Sequence, residues 1–392
     1  MSLLNTSTII IETYHTPTIR EFPTTEPTSG LAMLHEFSQT NDMWYCMITT
    51  GTSLRDVSVV DLMGQEVYGQ ILAKNALLVI DLPFEPFLNC IDSVYEHVVQ
   101  ALGIPPSQII FMSAMWDAYE YNQKVAQRFN IEPIQIFYFS ALEYMIHPNA
   151  VHNEPPPLAV KPYPKKFLNL NRRWREHRPV SVLLLRYRKL LELGHVSFGP
   201  CEDHSNWQAV WDTMRVGAIG NPYLQKAIEE STDIYDMPPL LLDTDELHTN
   251  RAVLENTTDP YYADSYFSLV SETTFYTKYY YQNSRFITEK TYKPIAMKHP
   301  FVLITIPKSL EVLKFLGYKT FSPWIDESYD NEVDDNTRLL MIMDEVERLS
   351  NLSDEQLAQF IQETNAICEY NYNLLKSRTK FVYRMGETCS VI

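Results

Sequence analysis

A chain of 392 residues, 45% apolar and 21% charged, has material for two hydrophobic cores and the balance of a globular protein. Its net charge of −17 argues against a general nucleic-acid coat or a binder of anionic membranes, both of which need clustered Lys and Arg. Cys46, Cys90, Cys201, Cys368 and Cys389 are widely spaced and form no C-x-x-C pair, so a reduced compartment is expected and a zinc knuckle is not. The opening MSLLNTSTIIIETYH lacks a basic start and a long apolar core, and no apolar run reaches membrane-spanning length. The expectation is a cytoplasmic protein with no membrane partner.

Ser7–Glu12 reads as a first strand, Thr16–Thr28 as a loop rich in Pro, Thr and Glu, and Leu31–Gln39 as a short helix. Trp44–Thr49 and Leu77–Leu82 read as strands. Glu85–Leu102 has helical spacing, with Phe87, Ile91, Val94, Tyr95, Val98 and Leu102 on one side and Gly103 as its stop. Gln108–Ser113 and Ile134–Ser140 read as strands around a helix at Ala118–Phe129. This alternation predicts a Rossmann-like domain over residues 1–146. Residues 147–164 carry Pro148, Pro155, Pro156, Pro157, Pro162 and Pro164, which predicts a linker.

A second α/β domain is expected over 165–350. Phe167–Leu170 reads as a strand, followed by a turn, a helix to Leu193 stopped by Gly194, and a strand at His195–Phe198. Asn206–Val216 reads as a helix, and Leu240–Leu242 leads into Asp243-Thr-Asp245. Tyr266–Ser271 is a short apolar strand with Glu272 at its carboxyl end. A tyrosine-rich excursion then leads to a helix of about three turns beginning near Thr288 and closing before His299-Pro300. Pro294 places its start close upstream, because proline is tolerated in a first turn and damaging later. Phe301–Ile306 reads as a second buried strand, Ser309–Leu316 as a helix, Thr320–Trp324 as a strand or loop, and Thr337–Leu349 as a helix. Ser353-x-x-Gln356 is a capping box for a last helix, Asp354–Lys376, within a closing segment 351–392.

The chemistry-bearing residues gather after two strands. Ligands of parallel α/β sheets bind at the carboxyl ends of strands, where helix amino termini offer free N–H groups to phosphate. Thr288-Glu289-Lys290 occupies such a position: Lys290 is suited to a diphosphate and Glu289 to ribose hydroxyls. Asn171, Arg172, Arg173, Arg175 and Arg178 follow the strand at Phe167–Leu170. Guanidinium groups at a helix start oppose the helix dipole, which favours an anion site. Arg172 and Arg178 are therefore expected to hold phosphate with Lys290. The plain structural alternatives are a capped surface helix with a routine Glu-Lys pair and a solvated basic helix start. No G-x-S-x-G, Walker or G-x-G-x-x-G motif is present, so hydrolase and dehydrogenase readings have little support.

The run strand-Glu272-loop-Phe286-Ile287-Thr288-Glu289-Lys290-x-x-x-Pro294-Ile295, with Pro300-Phe301-Val302 after it, resembles the donor-binding segment of the α-1,3-fucosyltransferase family. It is also similar to predicted glycosyltransferases of phage and bacterial genomes, which carry NRR-type and TEK-type segments in this order. The resemblance covers roughly Phe167 to Asp330, and Ser271-Glu272-Thr273 stands where the fucosyltransferases have Glu-Asn-Ser. It implies two Rossmann-like domains facing a cleft, the GT-B arrangement, with a C-terminal helix crossing back. It implies transfer of a sugar from a UDP- or GDP-type nucleotide-sugar to an acceptor hydroxyl, with Asn171, Arg172, Arg178, Glu272, Thr288, Glu289 and Lys290 at the donor and no metal required. The phage-like similarity points to a hydroxymethylated base in DNA as acceptor, in the host cytoplasm if the protein is phage-encoded. A saccharide, lipid or protein acceptor stays open, as does a non-catalytic virion or scaffold role. The base is expected from the first domain, with Asp81 and Asp117 the leading strand-end carboxylates and Glu85 and Glu143 behind them. Asp243 and Asp245 are the alternative, a pair suited to Mn²⁺ or Mg²⁺.

Overall fold

A computed structural model describes residues 8–13, 16–21, 44–49, 58–82, 88–152, 154–171, 175–198, 220–231, 240, 242, 259–277, 284–378 and 382–385. The chain divides into two compact units. Unit 1 comprises Met1–Tyr144, Tyr279–Phe286 and Thr379–Ile392; unit 2 comprises Met145–Lys278 and Ile287–Arg378. Each is α/β and is built on a largely or wholly parallel sheet, as the alternation of strands and helices predicts.

The sheet of unit 1 has the order β11-β6-β5-β4-β3-β1-β2. β1 (Thr8–Thr13), β3 (Trp44–Thr49), β4 (Ala76–Leu82), β5 (Ile109–Ser113) and β6 (Gln135–Phe139) are mutually parallel. β2 (Thr16–Glu21) corrects the expected loop. It closes a hairpin on β1 through the pair Thr13↔Thr16 and lies at the sheet edge, where Pro17 withholds no ladder bond from a further strand. β11 (Val382–Arg384) pairs antiparallel with β6.

Alternate residues of the central strands, Leu78, Ile80, Leu82, Phe111 and Ile136, share one core with Val59 and Met63 of α1 (Val59–Met63) and Ile71 of α2 (Gln65–Leu72). Ile91 and Val94 of α3 (Cys90–Val94) and Tyr121 and Val125 of α4 (Ala118–Phe129) complete it. Each such side chain contributes about 2 kcal/mol by leaving water. α3 runs on as a π-helical turn, Tyr95–Gln100, and the chain turns at Gly103 with φ +68°. α4 has the limits its spacing predicts and ends on Asn130 in the left-handed region.

α5 (Ala141–His152) corrects the first third of the expected linker, since the helix begun after β6 continues through Pro148. The rest of the linker is laid onto unit 2. Glu154 bridges Lys298 and Lys376, Asn365 donates to the Leu158 carbonyl, and the Tyr163 amide donates to the Tyr266 hydroxyl.

The sheet of unit 2 is wholly parallel, with the order β10-β9-β7-β8: β7 (Lys165–Asn169), β8 (Gly194–Val196), β9 (Ser265–Ser271) and β10 (Phe301–Ile304). α6 (His177–Tyr187) stops short of the expected Leu193; Lys189 at φ +60° breaks it, and a 3₁₀ turn, Leu191–Leu193, leads into β8. A Cβ on Gly194 would meet the Phe167 ring at 2.4 Å, so only glycine lets β8 lie against β7 there. Among the described residues the next helices are α7 (Pro222–Glu230), α8 (Asp259–Tyr262) and α9 (Glu289–Ala296). α9 is shorter than the expected three turns, and Pro294 stands in its second turn rather than its first. Lys298 then turns the chain at φ +52°. α10 (Ser309–Phe315), α11 (Asp335–Ser350) and α12 (Asp354–Ser377) complete the unit, and residues 320–324 form a turn rather than a strand. The capping box of Ser353 and Gln356 forms as read. α12, the helix expected to cross back, belongs to unit 2, while β11 carries the tail into the sheet of unit 1. The helices read at Leu31–Gln39 and Asn206–Val216 lie outside the described residues.

Candidate functional site

The strand order of unit 2 reverses once. From β7 the chain goes to β8 on one side, then returns to β9 on the other side of β7 and continues outward to β10. Right-handed crossovers send the connections from such neighbours to opposite faces of the sheet. The loops leaving β7 and β9 therefore diverge, and the crevice they leave at the carboxyl ends is where open α/β sheets bind ligands.

The loop after β9 is organised by Glu272, which has no solvent exposure. Its carboxylate accepts from the Thr288 amide at 3.0 Å, the Thr288 hydroxyl at 2.6 Å, the Thr273 amide at 3.1 Å and the Thr291 hydroxyl. Neutral donors and the positive end of the α9 dipole thus carry a buried charge. Glu272 is therefore a brace. Thr288 is the N-cap of α9; its hydroxyl accepts from the Lys290 amide at 3.3 Å and from Lys290 Nζ at 3.1 Å. Lys290 Nζ also donates to Thr273 Oγ1 at 3.2 Å and Glu289 Oε1 at 2.8 Å, and its side chain stays 27% exposed. Burial alone would raise the Glu289 carboxyl, but Lys290 and, more weakly, Lys293 hold it below the usual carboxylate range.

The turn after β7 meets the same backbone. Arg178 Nη2 donates to the Ser271 carbonyl at 3.1 Å, and His177 Nε2 donates to the Glu272 carbonyl at 2.9 Å. Burial, with Arg178 beside it, pushes His177 well below its usual pKa, so the imidazole is neutral and carries its proton on Nε2. Its ring stacks on Phe275 at 5.4 Å, and the guanidinium of Arg338 covers that ring at 4.4 Å. Arg338 is 1% exposed and donates to the carbonyls of Thr305, Glu332 and Phe275 and to Asp335, which in turn accepts from the Thr277 amide. Sequence reasoning missed Arg338 because it acts mainly on backbone carbonyls, which leave no mark in the pattern.

Arg178 and Lys290, read as partners, do converge on residues 271–273. Arg178 is 3% exposed and directed to the backbone, which makes it a brace, whereas Arg175 is exposed. Asn171 is 2% exposed and lies just beyond β7. Arg172, Arg173, Asp243 and Asp245 lie outside the described residues. Among the described residues no three His, Cys, Asp or Glu side chains group to hold a metal ion.

The two carboxylates read as bases are in unit 1. Asp81 is 9% exposed and pairs with Thr49 and Met112; alternation with Ile80 and Leu82 places it on the sheet face opposite the helices of the core described above. Asp117 is committed to structure. Its carboxylate accepts from the Arg285 amide at 2.7 Å, Arg285 Nε at 3.0 Å, Arg285 Nη2 and the Ser284 hydroxyl at 3.1 Å.

No family model matches the chain, and no curated protein matches it. Among solved structures it is similar to a TarM mutant of S. aureus in complex with fondaparinux, alpha-GlcNAc-glycerol and UDP, at a TM-score of 0.36 and 14% identity over 88% of this chain. The chain spans 59% of that structure's length. A likeness this loose does not bear on chemistry. Among the described residues no helix is long and apolar enough to cross a membrane.

Proposed function

We propose that unit 2 binds a nucleoside diphosphate sugar at the carboxyl ends of β7 and β9, and that the protein transfers the sugar to an acceptor hydroxyl. The observation that carries this reading is the strand reversal between β7 and β9, with the Lys290 ammonium in the first turn of α9 beside it. Departure of a nucleoside diphosphate builds negative charge on phosphate oxygen, and an ammonium group with helix amides is suited to stabilise it. Lys290 exchanges its contact with Thr273 for a phosphate oxygen, while Thr288 and Glu272 keep it in place. Arg172 and Arg175 are proposed to complete the phosphate contacts, and Glu289 to accept from ribose hydroxyls. Asp81, near the carboxyl end of β4, is the proposed base. The donor is proposed to be of UDP or GDP type, bound without a metal.

The test is a thermal-shift screen of the full chain with UDP, GDP, CMP and their sugars. One nucleotide family is expected to stabilise the protein, and Lys290→Ala to remove that stabilisation. A folded sample stabilised by none of them contradicts the reading. Saccharide, lipid, protein and hydroxymethylated DNA acceptors are then assayed with the stabilising donor. The net charge of −17 weighs against the DNA acceptor, so transfer to DNA is expected to fall steeply with salt if it occurs. Full activity in excess chelator separates this scheme from one using Asp243 and Asp245.

A further inference from the structure

The side chain of Asn171 carries a signal of its own. It stands two residues past the end of β7, at the strand reversal, and is 2% exposed. Its amide N–H donates to the Ser197 hydroxyl at 2.9 Å, which fixes the backbone. Its side-chain orientation is fixed by a relay. Asn169 faces the Leu269 carbonyl at 2.6 Å, and a carbonyl only accepts, so the Asn169 atom there is Nδ2. The Asn169 oxygen then faces Asn171, so the Asn171 atom that meets it is also Nδ2. This ordering holds whichever way either amide is first drawn, because reversing one places two acceptors together. Asn171 Oδ1 is left on the side of its amide away from Asn169, and it has no hydrogen-bond partner among the described residues.

A buried acceptor without a donor is costly, and folded proteins retain few of them. A relay that begins on the backbone of β9 and ends on one buried, unpaired oxygen two residues past β7 leaves an acceptor for a ligand to fill. The oxygen repels phosphate and accepts only from N–H or O–H. We infer that Asn171 Oδ1 recognises an uncharged hydrogen-bond donor of the nucleotide-sugar, a base N–H or a sugar hydroxyl, and takes no part in holding the diphosphate. This rests on the nucleotide-sugar reading of unit 2 and adds a division of labour to it. Lys290 reads the charge common to all nucleoside diphosphates, and Asn171 discriminates among their neutral parts.

Titration calorimetry of the full chain with inorganic pyrophosphate, UDP and GDP tests the inference. Asn171→Leu should weaken the preferred nucleoside diphosphate about 10-fold, the worth of one hydrogen bond, and leave pyrophosphate affinity unchanged. The wild-type protein, which needs no variant to fold, is titrated with 2′-deoxy, 3′-deoxy and base N-methylated forms of that nucleotide and with its nucleotide-sugars lacking single hydroxyls. One of these should lose a similar factor, identifying whether base, ribose or transferred sugar supplies the donor, and the same analogue should lose nothing further on Asn171→Leu. Unchanged nucleotide affinity in the variant, an equal loss for pyrophosphate, or analogues that all bind like their parent would each overturn the inference alone. A wild-type protein that binds neither pyrophosphate nor any nucleotide would overturn the nucleotide-sugar reading together with it.

Discussion

The two sheets are made of the same parts and differ in how the chain visits them. In unit 1 the parallel strands β1, β3, β4, β5 and β6 are laid down in one direction. Right-handed crossovers then keep their helices on one face, and the shared core of β4, β5 and β6 with α1 to α4 shows that face filled. In unit 2 the order reverses between β7 and β9. Packing agrees, since α6 meets α7 and α11 while α9 meets α12. A one-way sheet has no point where two successive loops diverge; a reversing sheet has one. Fold class alone would nominate both units for a ligand, whereas strand order nominates unit 2.

The difference extends to electrostatics. Unit 2 buries charge beside its crevice: Glu272 accepts from neutral amides and hydroxyls, and Arg178 and Arg338 donate to backbone carbonyls. Removing one partner of such an arrangement leaves the others exposed to a low dielectric. Arg338→Met should give the largest loss, about 3–5 kcal/mol, measured by chemical denaturation with exchange at residues 273–277 as a local readout. The loss should appear in unit 2 while exchange in β4 and β5 stays slow; equal loosening of both would break the contrast.

Acidity provides a second contrast. Burial lowers His299 to about 4, against which its donation to the Ser265 carbonyl is a small support, and it pushes His177 lower than usual in the same sense. The unfolded chain takes up these protons below about 6.5, and the folded one does not until lower pH. Stability of unit 2 is thus complete above that value and falls as pH drops toward 4, by about 3 kcal/mol for His299. Asp330 has the opposite sign. Burial, with Glu327 and Glu311 nearby, raises it to about 7 despite amide donation from Leu310 and Ser309. Its contribution is present at low pH and is lost as pH rises through 7. His299→Gln should flatten the acid limb of a stability profile, and Asp330→Asn should raise the melting temperature at pH 8 more than at pH 5. Profiles that keep their slopes in these variants would remove the assignment.

Lys290→Ala should weaken nucleoside diphosphate binding about 10- to 100-fold, the range of a charge-assisted hydrogen bond, with little change in apo stability because the ammonium is part-exposed. Asp117→Asn should have the smallest effect, about 1 kcal/mol, read as faster exchange at residues 284–286. A loss of nucleotide affinity as large as that of Lys290→Ala would return Asp117 to the chemistry.

The sequence made visible what repeats along the chain. β3 and α4 have the limits their patterns predict because an apolar strand and a 3.6-residue stripe are local signals. Thr288 and Lys290 were legible because an N-cap and a following cation are spaced along one turn. β2 was hidden by Pro17, which only an edge position makes tolerable, and β11 by its brevity. Glu272 was visible as a carboxylate at a strand end, but its saturation by Thr273, Thr288 and Thr291 required the fold. Arg338 lies 63 residues from the Phe275 carbonyl it holds, beyond any local pattern.

The most direct test is hydrogen–deuterium exchange of the full chain with and without saturating UDP or GDP. Slowed exchange at residues 288–292 and 272–277 of unit 2, with β3 to β6 of unit 1 unaffected, is the predicted result. Protection confined to unit 1, or none with either nucleotide, would contradict the placement of the nucleotide at the strand reversal.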